Sequence, residues 1–92
     1  MTKHELKTDP SAFDALWDEI KSYELRKNDR KFKVGDILDL RDFDAELGTY
    51  GGRWVIAEVT YMTPGGKYGL PTWLCCMSIR ILSKHLASEK RP

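Results

Sequence analysis

Residues Lys21-Ser22-Tyr23-Glu24-Leu25-Arg26-Lys27-Asn28-Asp29-Arg30 hold four cations and two carboxylates, set directly after an amphipathic stretch. Charge at this density is costly to fold unless it is solvated, paired or used. Tyr23-Glu24-Leu25-Arg26 alternates with period two. That pattern predicts a strand with Tyr23 and Leu25 on one face, Leu25 in the core, and Glu24 and Arg26 on the other face.

The surrounding chain has to supply the core. His4–Lys7 predicts a short first strand with Leu6 inward. Thr8 or Asp9 suits a helix N-cap and Pro10 the first helical position. Phe13, Leu16, Trp17 and Ile20 recur at helical spacing and predict a helix ending near Ile20–Lys21. Val34-Gly35-Asp36 reads as a turn into a strand at Ile37–Phe43, with Leu38 and Leu40 inward. Asp44–Gly52 reads as a glycine-broken loop and Arg53–Thr63 as the clearest strand. Pro64-Gly65-Gly66 ends that strand, and Trp73–Leu82 is the last one. Residues 83–92 read as a frayed tail. One helix and five strands predict a small α+β domain whose sheet is curled or barrel-like, a shape that removes exposed edges. The expected core is Phe13, Leu16, Trp17, Leu25, Leu38 and Leu40 with Val55 and Val59, or with the opposite face of the Trp54 strand, since both faces of that strand are apolar.

Length and composition narrow the function classes. Ninety-two residues suit one domain over the whole chain, with room for one modest core. With 41% hydrophobic and 32% charged residues, the chain is expected to be globular rather than disordered. The formal net charge of +1 gives no overall pull toward nucleic acid or membrane. The local distribution says more. Lys21, Arg26, Lys27, Arg30, Lys31 and Lys33 crowd residues 21–33, whereas residues 36–46 hold five carboxylates against Arg41 alone. Such a polarised surface can steer anionic ligands. Met1–Lys7 is polar, no apolar run is long enough to span a bilayer, and the two cysteines are adjacent. A cytoplasmic monomer with reduced thiols and no membrane contact is the resulting expectation.

Four constellations could carry chemistry. Lys21, Glu24 and Arg26 could bind a nucleobase edge or move a proton, against the plainer alternative of a solvated salt bridge. Lys27, Arg30 and Lys33 form a basic turn suited to phosphate, or merely solvated. Gly51-Gly52-Arg53 and Pro64-Gly65-Gly66-Lys67 lack the spacing of a phosphate loop and read better as hairpin turns. Among the aromatics, Trp54 or Trp73 is expected in the core, and Tyr50 and Tyr68 are the better stacking candidates. No histidine and cysteine spacing fits zinc, so neither metal nor cofactor is expected.

The run from Glu19 to Arg26 resembles the ASCH-domain signature, glycine-x-lysine-x-x-glutamate-x-arginine. Lys21, Glu24 and Arg26 match it; Glu19 stands where the signature has glycine. Lys27-Asn28-Asp29-Arg30, Phe32–Leu38 and Tyr50-Gly51-Gly52-Arg53 extend the resemblance over about residues 4–82, toward small phage and bacterial proteins of unknown function. The resemblance implies a PUA-like barrel with a flanking helix, binding RNA or a nucleotide-like ligand in a cleft lined by the signature residues. Lys27, Arg30, Lys33, Tyr50 and Arg53 would complete that ligand site. Some ASCH relatives are nucleoside amidohydrolases or ribonucleases, which makes a small hydrolase the first alternative, with Lys21 and Glu24 catalytic. The amidohydrolases carry a nucleophilic threonine at the position of Glu24, so this chain departs from them there. A phage protein that binds a host protein is the second alternative.

Overall fold

In the computed structural model, residues 1–87 are described. Their order is β1 (Lys3–Thr8), α1 (Pro10–Trp17), β2 (Tyr23–Lys27), β3 (Ile37–Asp44), β4 (Thr49–Thr63) and β5 (Leu74–Leu86). The five strands form one mixed sheet in the order β1-β3-β4-β5-β2. β1 lies parallel to β3, and the remaining neighbours are antiparallel. The long central strands β4 and β5 shift register after Ile56 and again after Val59. Bulges of this kind bend a strand and raise its twist, and here they accompany a sheet curled into a half-barrel. The small α+β domain with a curled sheet expected from the sequence is formed, and backbone pairing leaves it open, with β1 and β2 as its two edges.

The core fills the concave side. Leu6 from β1, Phe13 and Leu16 from α1, Leu38 and Leu40 from β3, and Val55, Ala57 and Val59 from β4 are buried together with Cys75 and Met77 from β5. Asp9 caps α1 through a hydrogen bond from the Ser11 N–H, and Pro10 opens it. The helix then packs on β3 and β4. Arg53 fastens it: its guanidinium bonds Asp14 on the helix at 2.6 Å and Asp42 on β3 at 3.1 Å, and lies over the Phe13 and Trp17 rings.

Several expectations are corrected. The helix stops at Trp17 rather than near Ile20–Lys21, because Glu19 takes a left-handed backbone with φ of 58° and leaves Ile20 exposed. Gly51 and Gly52 lie inside β4 rather than in a turn. A Cβ on Gly51 would overlap the Asp42 carboxylate, so glycine there permits close approach of β3 and β4. β5 runs on to Leu86, since Trp54 on β4 stacks on His85 with centroids 5.0 Å apart. Residues 88–92 of the expected tail lie outside the described residues. Trp54 is buried, and Trp73 is exposed in the turn before β5. Leu25 is 48% exposed and does not join the core. Cys75 is buried, and burial pushes its thiol pKa up; Cys76 is half-buried, and both cysteines are free. No helix among the described residues is long and apolar enough to cross a membrane.

Candidate functional site

The face of β2 that points inward is its charged one. Glu24 pairs with Met77 and Arg26 with Cys75, and both partners are fully buried on the concave side of β5. Side chains directly opposite one another share a face. Glu24 and Arg26 therefore point inward, while Tyr23 and Leu25 point to solvent. This reverses the face assigned from hydrophobic alternation. Its cause is the position of β2, an edge strand whose inner face looks across a gap at β1 rather than onto the apolar core.

Glu24 is only 3% exposed. Its Oε1 accepts from Lys21 Nζ at 2.8 Å and its Oε2 from Arg26 Nε at 2.9 Å. Lys21 reaches this point because the chain turns sharply after α1. Lys21 N–H and Ile20 N–H both donate to Ala15 O, which folds residues 19–21 back against the helix end. Lys21 Nζ also donates to Tyr23 O and sits 4.6 Å from the centroid of the Tyr23 ring.

Arg26 spans the gap between the sheet edges. Its Nη1 donates to Lys7 O and its Nη2 to Thr8 Oγ1, both on β1. Arg30 does the same further along, donating from Nη1 to Glu5 O at 2.9 Å. Two arginines thus satisfy carbonyls on the β1 edge, where a closed barrel would use a backbone ladder. The gap between β1 and β2 is an open cleft of about 390 Å³. Lys7, Thr8, Asp9, Lys21, Tyr23, Glu24 and Arg26 line it.

The other residues singled out in the sequence disperse. Lys27 lines a separate, larger hollow of about 550 Å³ with Asn28, Asp29, Thr72 and the exposed Trp73. Among the described residues, none of the ion pairs involves a residue lining that hollow. Lys33 sits in the turn before β3, where its backbone N–H donates to Asp36. Arg53 ties α1 to β3 through Asp14 and Asp42 and does not line the cleft. Tyr50 packs edge-on against Phe43 with centroids 4.8 Å apart, and with Arg30 it lines a hollow next to the cleft. Lys7, Thr8 and Arg41 were not singled out from the sequence. Arg41 had one signal, being the lone cation in an acidic run. Nothing local marked Lys7 or Thr8, whose role depends on where β2 folds.

A second polar cluster sits at the opposite end of β1. Asp36 accepts from Thr2 N–H, His4 Nε2 and Lys33 N–H, at 3.2, 2.9 and 3.0 Å. Burial alone would raise the Asp36 pKa, but these hydrogen bonds and the nearby His4 outweigh it and hold the carboxyl below its ordinary value. The bonds from Thr2 and His4 tie the start of β1 to the turn before β3, and the bond from Lys33 closes that turn, so this cluster is a structural tie. No group of three or more His, Cys, Asp or Glu placed to hold a metal ion occurs among the described residues.

Fold and site together define a small α+β domain with a half-barrel sheet and a charged cleft between its edges. The chain belongs to the family described as Domain of unknown function (DUF3850), whose model matches residues 3–79. No curated protein matches it.

Proposed function

We propose that this chain is a PUA-like domain related to the ASCH group, and that it binds RNA or a nucleotide-like ligand in the β1–β2 cleft. The observation that carries this reading is Glu24, a carboxylate almost wholly withdrawn from water yet lining an open cleft, held between two cations. An apolar residue of similar size would usually be as stable or more so in a merely structural position. Each carboxylate oxygen has a second acceptor direction, suited to the amino group of a base. Lys21 and Arg26 have further N–H donors for carbonyl or phosphate oxygens.

The backbone at Glu19 supports the ASCH relation. Its φ of 58° lies in the region that glycine adopts most easily, and glycine is what the signature has there. A hydrolase is the second reading, favoured by the buried Thr8 hydroxyl at 3.1 Å from Arg26 Nη2. Nucleophilic use of Thr8 needs a base, and no carboxylate or imidazole hydrogen-bonds it among the described residues. Binding is therefore the preferred reading.

The test is equilibrium binding of the purified chain to a panel of RNA oligomers and nucleosides, with wild type and Glu24→Gln. The proposal expects measurable, salt-sensitive affinity and a changed base preference in Glu24→Gln. Affinity and preference identical in both proteins would remove Glu24 from the site.

A further inference from the structure

Beside the Glu24 cleft lies a second hollow, of about 410 Å³, on the outer side of the gap between the sheet edges. It is lined by Glu5, Lys7, Arg26, Arg30, Arg41 and Tyr50, together with Leu6. Lys7 and Arg26 line both hollows, so the two abut. Four cations therefore face one carboxylate.

The partners of these cations separate them into two kinds. Arg26 is bound to Glu24, and Arg41 to Glu5 at 2.7 Å and Asp39 at 3.2 Å. Arg30 donates only to a neutral carbonyl, Glu5 O, and Lys7 Nζ lies 4.4 Å from the centroid of the Phe43 ring. Neither Lys7 nor Arg30 has a carboxylate within ion-pair distance among the described residues. Arg41 adds a buried Nε that makes no hydrogen bond among the described residues. The Tyr50 hydroxyl is a further donor at the rim.

We infer that this hollow is a phosphate-binding pocket, and that the ligand of the adjoining cleft carries a terminal phosphomonoester. The inference rests on the nucleotide reading above for the base and adds the phosphate. Two uncompensated cations match the charge of about −1.5 to −2 that a phosphomonoester bears at neutral pH. Arg30 and Arg41 offer planar donor forks suited to phosphate oxygens, and Lys7 offers a point charge. With the base against Glu24 and the phosphate between Arg30 and Arg41, the ligand passes Lys7 and Arg26, which line both hollows.

Titration calorimetry tests this with the four nucleosides, their 5′-monophosphates, 5′-hydroxyl dinucleotides and inorganic phosphate. The probed proteins are the full chain and the Arg30→Gln/Arg41→Gln double variant, with folding checked by circular dichroism. The favoured 5′-monophosphate should bind about tenfold or more tightly than its nucleoside, and the double variant should erase that ratio. Equal affinity for nucleotide and nucleoside, or a ratio that survives the double variant, overturns the pocket and leaves the Glu24 reading standing. Inorganic phosphate binding that the double variant abolishes, with no affinity for any nucleoside or nucleotide, supports the pocket and overturns the nucleotide reading. A 5′-hydroxyl dinucleotide that binds as tightly as the monophosphate overturns the terminal phosphomonoester in favour of an internal phosphodiester. Variant misfolding is covered by Arg30→Gln alone, which removes an exposed side chain and should still lower the ratio several-fold.

Discussion

Glu19 holds a left-handed backbone that costs a non-glycine residue about 1–2 kcal/mol. Against this it gains an ion pair with Lys84 at 2.9 Å, on a side chain that is largely exposed, so the pair returns well under about 1 kcal/mol. Glu19→Gly should therefore stabilise the fold, by about 0.5 kcal/mol once the added freedom of the unfolded chain is counted. A urea midpoint that rises in Glu19→Gly checks this, and a fall contradicts it. Asp36 makes a pH-dependent contribution. Its carboxyl titrates below its ordinary value in the folded chain, so the unfolded chain takes up the proton at higher pH. The stabilisation is complete above the unfolded value and is lost as pH falls through the folded one. Asp36→Asn should cost about 2 kcal/mol near neutral pH, and its deficit against wild type should shrink below about pH 4. Unfolding curves at several pH values measure both.

The elements differ in how far their own residues determine them. Asp9, Pro10 and the spacing of Phe13 and Leu16 were enough to place the start of α1, and the alternation around Leu6 placed β1. The end of α1 was hidden, because Ile20 continues the apolar period while the left-handed turn at Glu19 has no glycine to announce it. The faces of β2 were misread for a related reason. Alternation shows which residues share a face but not which face meets the core; that depends on β2 lying at an edge opposite β1. Substitutions should reproduce the distinction. Leu16→Ala removes a fully buried side chain and should cost about 2–5 kcal/mol, while Leu25→Ala on the exposed face should cost less than about 1 kcal/mol. Arg53→Ala removes the tie between Asp14 on α1 and Asp42 on β3 and leaves the buried Asp42 without its guanidinium. Because Arg53 is itself partly exposed, a cost of about 2 kcal/mol is expected, below the 3–5 of a wholly buried pair. Thermal unfolding of the three variants ranks them.

At the scale of the whole molecule, a sheet too short to close leaves a gap, and the charged run of residues 21–30 fills it. Arg26 and Arg30 satisfy the β1 edge, Glu24 is held between Lys21 and Arg26, and the remaining space is the cleft and its neighbouring hollow. The sequence showed the charge density and the three signature residues. It did not show Lys7, Thr8 or Arg41, which join the site only through β1 and β3. Nor did it show that Lys27, Lys33 and Arg53 would be drawn away to other surfaces. The measurement that tests the ligand-binding account most directly is an amide chemical-shift map recorded while nucleotides are titrated into the isotope-labelled chain. The account predicts that perturbations centre on Thr8, Lys21, Glu24 and Arg26. Perturbations centred instead on the Trp73 hollow, with Thr8 and Glu24 unmoved, would contradict it.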